Sequence, residues 1–395
     1  MRLKALVLTN LFPNPQEPLR GIFVYQLVEN LKNHCDLMIV SPLPWFPKVP
    51  SLQRSGEWSK FSQIPQMATM NGLRIYYPKF PVIPKVGFVQ SLFLFLRIFH
   101  TIRSLHAEEQ FDLVNAHWIF PDGVAAAWLC RILGLPLMLT AHGCDINAYT
   151  KLPMRRLQIL SAIRSAQLTV VVSRQQKELI EKLGIRPSKM SIVQNGVDLD
   201  LLNVKDQREC RRLLHLDTEK KIILFIGQHV EVKGFTYLIS AVKRLASKGI
   251  NNFKVIAIGE GPLKKTLWAE VQESELEQHI EFVGAKKYTE IPFWLGASDL
   301  LCLPSHREGC PCVVLEALAC GRPVVASKVG GIPDIINHDN GILIEPGNSE
   351  SLSDGLMKAL TTNWDAGQIQ QSVLHQSWKH VAQRYYELMQ GILMN

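Results

Sequence analysis

Two carboxylates, Glu308 and Glu316, lie eight residues apart in "HREGCPCVVLEALACGRPVVAS", residues 306 to 327. The preceding "DLLCLPS" reads as a strand, which leaves Glu308 in the loop beyond its carboxyl end. Gly309 permits close approach of a ligand to backbone. Pro311 suits a first helical position, because its missing N–H would be unpaired there anyway. Gly321 suits a C-cap, so the spacing predicts a helix from Pro311 to Cys320. Its amino end, framed by Gly309, Cys310, Pro311 and Cys312, carries a partial positive charge and makes an anion site fit for a diphosphate. Glu316 sits one to two turns into an otherwise apolar helix. A carboxylate there can accept two hydrogen bonds from the vicinal hydroxyls of a ribose, while Glu308 takes a sugar hydroxyl. The alternative for Glu316 is an ion pair with a neighbouring Arg or Lys.

The elements that must position these groups alternate. "KALVLTN" reads as a strand, "GIFVYQLVENLKNH" as a helix and "DLMIVSP" as a strand; "DLVNAHW", "LPLMLTAHG" and "QLTVVVS" follow with helical material between. The pattern restarts after residue 200 with "KIILFIGQ", "FKVIAIGEG", "IEFVGA", "DLLCLPS" and "RPVVASKVGG". Alternating strands and helices predict parallel sheets covered by helices. Strands apolar throughout, such as "LTVVV", fit sheets buried on both faces. The fold class expected is therefore α/β, with two Rossmann-like domains in tandem, residues 1–200 and 201–372, and a final helical segment, 373–395, that reads either as a core face of the second domain or as a helix returning to the first. Asn195-Gly196 is a turn signal, and the junction is expected near residues 198 to 203. Ligands of such folds bind at the carboxyl ends of the strands, and a cleft between two such domains is the natural site.

The 395 residues are 47% hydrophobic and 20% charged, with no low-complexity tract, which fits two domains with real cores. The net charge of +8 suits an anionic small molecule or an anionic membrane surface. No basic run interleaved with aromatics points to nucleic acid. The first apolar run, before Thr9 and Asn10, is too short for a secretory core and reads as a strand. Eight cysteines without a disulfide framework suggest a reducing cytoplasm. The segment "VGFVQSLFLFLRIFHTI", residues 86 to 102, is interrupted by Arg97 and falls short of a bilayer span. It reads either as a buried helix or as a helix lying on a membrane, with Lys85, Arg97 and Arg103 around bulky apolar residues.

The motif E-G-x-P-x4-E-A resembles the retaining glycosyltransferases of family 4, which have the GT-B fold of two Rossmann-like domains facing across a cleft. "FIGQHVEVKGFTYLISAV", "IAIGEGPL", "VVASKVGGIPDII" and "NGILIEPGN" are similar to that family in the right order, as are "RGIFVYQ", "FDLVNAHW", "LTAHGCDIN" and "VQNGVDLD" earlier in the chain. The amino-terminal "FPNPQEPLRGIFVYQLVENL" with "PLPWFP" resembles the branch that makes bacterial cell-surface polysaccharides, including teichuronic acid-type transferases. The resemblance implies that Lys233 neutralises the donor diphosphate, with Gln228 standing where many relatives have an Arg. The other reading of Lys233 is a solvated loop lysine. Gly259 and Gly261 would form tight turns near the nucleotide, and the backbone around Val283 with Lys286 would meet the base. Gly21 would allow close approach of donor phosphate or acceptor. His142, with Gly143 and Asp145 beside it, would lie near the transferred sugar, although a histidine after a strand is often structural. His117 and Asp122 in "AHWIFPDG" would contact the acceptor.

The activity so implied is transfer of a sugar from a nucleotide-diphosphate sugar to a glycan or lipid-linked acceptor, with retention and without metal or other cofactor. The location implied is the cytoplasm, peripheral to the inner face of the plasma membrane. A nucleotide-sugar epimerase or hydrolase of the same fold, and a non-catalytic nucleotide-sugar-binding subunit, are the alternatives. "DLD", residues 198 to 200, matches a metal-binding Asp-x-Asp pattern, but its place after a turn favours capping the next helix. Cys302, His306, Cys310, Cys312 and Cys320 contain no Cys-x2-Cys pair, so no metal site is expected.

Overall fold

The computed structural model describes residues 2–46, 59–83 and 86–394; Lys85, and Pro47 of the "PLPWFP" stretch, lie outside the described residues. The chain divides into two compact units, Met1–Asn195 with Trp378–Asn395, and Gly196–Ser377. The division falls at the Asn195-Gly196 turn, just before the 198–203 stretch, and residues 373–377 belong to the second unit.

The first unit contains β1 (Lys4–Leu8), β2 (Asp36–Val40), β3 (Leu43–Trp45), β4 (Met67–Met70), β5 (Leu73–Tyr76), β6 (Lys79–Pro81), β7 (Leu113–His117), β8 (Leu137–Ala141), β9 (Leu168–Val171) and β10 (Met190–Ile192). Eight of them form one sheet in the order β10-β9-β8-β7-β1-β2-β5-β4, and β3 pairs with β6 separately. All pairs are parallel except β4 with β5. That hairpin adds one antiparallel strand to the edge of the expected parallel sheet. Its two-residue loop is Asn71-Gly72, both at positive φ, and this turn matches the twist of adjacent antiparallel strands. Side chains alternate across the sheet as a strand requires. In β1, Leu6 and Leu8 join the core on one face, and Ala5 and Val7 join clusters on the other. The final helix, Trp378–Met394, packs Trp378, Val381, Tyr385 and Met389 against Leu3, Ala5 and Leu27.

The segment around residue 90 is longer than the sequence pattern suggests. A 3-10 turn at Gly87–Val89 runs into the helix Gln90–Glu109, 23 residues in all, long and apolar enough by length and composition to cross a membrane. It is two-sided. Leu94, Ile98, Ile102 and Leu105 enter the core at helical spacing, whereas Phe88, Leu92 and Leu96 are exposed.

The second unit is one parallel sheet of β11 (Lys221–Ile226), β12 (Phe253–Ile258), β13 (Ile280–Gly284), β14 (Leu300–Leu303), β15 (Val324–Ser327) and β16 (Gly341–Ile344). Its order is β13-β12-β11-β14-β15-β16. Numbered within the unit this is 3-2-1-4-5-6, the dinucleotide-binding order, in which the chain reverses direction of travel between the first and fourth strands. The loops leaving β11 and β14 therefore diverge from neighbouring strand ends and open a crevice there. The helix Phe235–Ser247 buries Leu238, Ile239, Val242 and Leu245 against the sheet.

Candidate functional site

In the second unit Lys233 follows β11 and Glu308 follows β14, so the strand order alone brings them together. The Lys233 ammonium lies 2.7 Å from a Glu308 carboxylate oxygen. Neither is a freely solvated surface group: the side chains retain 24% and 10% of their exposure. The two loops are stitched by the His306 N–H donating to the Val232 carbonyl at 2.8 Å. Gly330 comes against the other side. It adopts φ +61, and a Cβ there would lie 2.2 Å from the Glu308 carbonyl oxygen, so only glycine lets this loop close on Glu308. The Gly331 N–H reaches the Gly309 carbonyl at 2.6 Å, which places Gly309 in this loop junction.

The helix beyond runs Cys312–Ala319, with Pro311 as its N-cap and not its first residue, and no side chain caps that end. At the other end Gly321, at φ +68, and Arg322 return N–H groups to Leu318 and Ala317. Cys310 and Pro311 are buried and Cys312 is half-buried. Glu316 is buried, and burial pushes its carboxyl up to about 7, opposed by a hydrogen bond from the Tyr288 hydroxyl. The expected alternative, an ion pair with Arg or Lys, is replaced by this phenol. Tyr288 was not legible as a partner, because it lies 28 residues away in the turn after β13. Lys286, in the same loop, sits 5.2 Å over the Trp294 ring, and Val283 is half-buried in β13. Gln228 is exposed. Gly259 and Gly261 join the loops after β11 and β12, where Gly227 N–H meets the Ile258 carbonyl and His229 N–H the Glu260 carbonyl.

In the first unit His142 follows β8 directly. Its ring lies 4.9 Å from that of Phe23 and stacks on His117 at 5.3 Å, with His142 Nε2 and His117 Nδ1 3.1 Å apart. His142 keeps part of its surface, yet crowding by protein holds its imidazole down to about 3, so it is neutral near pH 7. Three other candidates of the first unit, Asp145, Asp122 and His117, are fully buried. Asp145 accepts the N–H groups of Ile119 (3.0 Å), His142 (3.1 Å) and Gly143 (2.8 Å), pinning the two loops together. Both oxygens are so engaged, and Asp145 is fully buried. Asp122 is also fully buried, and burial raises its carboxyl well above the usual range, against the Asn10 backbone and Arg20. His117 is fully buried, with both ring nitrogens at hydrogen-bond distance from protein groups. Gly21 caps the helix Ile22–Leu31 at φ +59, and a Cβ there would fall 2.2 Å from the Leu11 carbonyl oxygen. The chain's own backbone therefore requires that glycine.

Asp198 accepts the N–H groups of Asp200 and Leu201 at 3.1 and 3.2 Å. This closes a turn and not the helix start that was expected. Cys302, Cys310 and Cys320 are buried and in no disulfide, and the described residues contain no group of three or more His, Cys, Asp or Glu able to hold a metal.

The chain matches two family models in tandem: Glycosyltransferase Family 4 over residues 20–201 and Glycosyl transferases group 1 over residues 206–372. It is 28% identical over 396 residues to TuaC of Bacillus subtilis, a glycosyltransferase assigned by name to teichuronic acid biosynthesis, covering 98% of this chain and 94% of that one. It is 30% identical over 260 residues to an uncharacterized glycosyltransferase of Methanocaldococcus jannaschii, covering 65% and 68%. The crystal structure of Anabaena HepE in complex with UDP superposes with a TM-score of 0.75 at 20% identity, covering 98% of this chain and 100% of that one. The sheet orders, the tandem domains and these matches agree: the chain belongs to the GT-B glycosyltransferases, with a family 4 amino-terminal domain and a group 1 carboxyl-terminal domain.

Proposed function

We propose that the protein moves a sugar, with retention and without metal, from a nucleotide-diphosphate sugar to a glycan or lipid-linked acceptor of a cell-surface polysaccharide. The observation that carries this reading is the Lys233–Glu308 pair at the strand-order reversal, beside an uncapped helix end and one turn from buried Glu316. Lys233 and the helix end take the diphosphate, Glu316 with Tyr288 the ribose, Val283 and Lys286 the base, and Glu308 a sugar hydroxyl. His142 meets the transferred sugar. The bond from the anomeric carbon to the leaving phosphate oxygen breaks, and the acceptor oxygen bonds to the same face. Its proton passes to the leaving phosphate. Charge develops on that phosphate, where preorganised cations and dipoles contribute most. UDP is the first nucleotide to test, since the HepE structure holds UDP. Turnover of UDP-, GDP- and ADP-sugars is measured with EDTA present, and the product's anomeric configuration is read by NMR. Full activity in EDTA with retention is expected. Loss in EDTA restored by magnesium or manganese would overturn the metal-free reading, and an inverted product would overturn retention.

The same reading places the protein on the anionic inner face of the plasma membrane. Phe88, Leu92 and Leu96 are exposed beside exposed Leu152, Met154 and Leu157. The Gln158 side-chain amide donates to the Phe88 carbonyl at 2.9 Å, which holds the two segments together. Arg97, Arg103 and Arg156 are exposed around them. Bulky apolar residues ringed by arginine suit an interfacial helix, and each charge contributes about 1 kcal/mol at an anionic surface. Changing all three to Gln is expected to weaken binding to phosphatidylserine vesicles about 100-fold. Co-sedimentation checks this, and equal binding to neutral and anionic vesicles would count against it.

A further inference from the structure

Behind His142 lies a line of polar groups that none of the roles above uses. The Thr140 hydroxyl stands 3.5 Å from the Asn115 carbonyl oxygen. The Asn115 amide nitrogen is 3.0 Å from His117 Nε2, and His117 Nδ1 is 3.1 Å from His142 Nε2. Asn115, His117 and Thr140 are fully buried. The line ends at His142 Nδ1, which is buried and has no hydrogen-bond partner.

We infer that Asn115 and His117 are positioning residues that set the tautomer of His142, so that it offers an N–H at Nδ1 to a substrate oxygen. The argument follows from donors and acceptors in order. An amide nitrogen only donates, so His117 Nε2 accepts. A neutral imidazole has one donor and one acceptor, so His117 Nδ1 carries the proton and donates. His142 Nε2 then accepts, and its proton resides on Nδ1. Three buried groups have no water to substitute for a wrong partner, so the order is enforced along the line. His142 acts as a hydrogen-bond donor in this arrangement, because its only lone pair is already engaged by His117. Stacking on Tyr385, 6.1 Å from His117 with planes 13° apart, restrains the His117 ring. Asp145, three residues on, bonds the His142 backbone N–H and not its ring.

The inference rests on the proposed role of His142 at the transferred sugar, and the experiment separates the two. Two-bond proton–nitrogen NMR correlations on 15N-histidine-labelled full-length protein identify the protonated nitrogen of each ring directly, without substrate. Both His117 and His142 are expected to carry Nδ1–H. Asn115→Asp replaces the donor with an acceptor. It is expected to reverse both rings to Nε2–H and to lower kcat with a nucleotide-diphosphate sugar about 10- to 100-fold, the range for loss of one or two hydrogen bonds, with donor KM within about twofold. His117→Asn, whose amide nitrogen can take the place of Nδ1, is expected to keep the His142 tautomer and most of kcat. His117→Leu is expected to lose both. Nε2–H on His142 in the unaltered protein would overturn the inference, whatever the variants do. Reversal in Asn115→Asp with kcat unchanged would overturn the positioning role. A complete lack of donor turnover by the unaltered protein would strike the proposed function instead, and leaves the tautomer readable.

Discussion

Lys233→Ala is expected to lower kcat/KM for the donor by about 10²- to 10³-fold, the range seen when one preorganised partner of a developing oxyanion is removed. The cation is held 2.7 Å from Glu308 before any ligand arrives, so it pays little reorganisation when a diphosphate enters. An ammonium has three donors and can keep Glu308 while meeting phosphate oxygens. No arginine stands at Gln228 to share the charge, and Gln228 is exposed and neutral. The loss should therefore be larger than in a site with two cations. Removing Lys233 also deprives Glu308, at 10% side-chain exposure, of its ion pair. Breaking a buried pair costs about 3–5 kcal/mol, and the residual solvent contact on both partners reduces that to roughly 1–3. Steady-state kinetics on protein whose folding is verified by calorimetry separates the effects. Lys233→Ala with Glu308→Ala should regain part of the stability and none of the turnover. A folded Lys233→Ala protein with unchanged kcat/KM would remove Lys233 from the diphosphate site.

Glu316→Gln is expected to weaken the donor by about 1.5–3 kcal/mol at pH 8, the contribution of hydrogen bonds to a charged group. The pH dependence is more diagnostic. Burial holds the Glu316 carboxyl at about 7, above its ordinary value of 4.5. Ribose hydroxyls donate to it, so they favour the ionised form, and binding below pH 7 must expel a proton. Donor affinity is therefore expected to rise with pH up to about 7 and to level off above it. The Gln variant should be flat. Stability of the ligand-free protein moves the opposite way. Between about 4.5 and 7 the folded state holds a proton that the unfolded chain has released, so stability falls as pH rises through that window, by at most about 3 kcal/mol. Tyr288→Phe removes the hydrogen bond that lowers this value, and should shift the affinity midpoint upward. Isothermal titration of nucleoside diphosphate across pH 5.5 to 8.5 reads all three proteins, and a pH-independent unaltered protein would separate Glu316 from the ribose.

The order of elements was legible because parallel strands buried on both faces are written as short, mostly apolar runs. β1, β2, β7, β8, β9 and β11 to β15 all fall within such runs. The strand–loop–helix passage through Glu308 and Glu316 was legible for a related reason: Pro311 and Gly321 are local signals whose meaning needs no distant partner. The short strands β4 and β10 were not read, since edge strands are defined by their neighbours more than by their own composition. The Asn71-Gly72 turn was a local signal left unused.

What no local pattern carries is which charges and rings meet. Lys233 and Glu308 are 75 residues apart, and only the reversal of strand order at β11 and β14 makes them a pair. Tyr288, in the turn after β13, reaches Glu316, in the helix after β14, only through the fold of the second unit. His117, Asp122 and Asp145 look as reactive in sequence as His142 does. Tertiary packing distinguishes them, by burying the first three fully and leaving His142 partly exposed with a ring nitrogen, Nδ1, that has no hydrogen-bond partner. The amino-acid sequence by itself determined two parallel α/β sheets and the residues able to carry charge at their strand ends. Which of those residues face a ligand, and in which protonation state, was decided by burial, because desolvation and the choice of hydrogen-bond partner are properties of the folded neighbourhood and not of the residue.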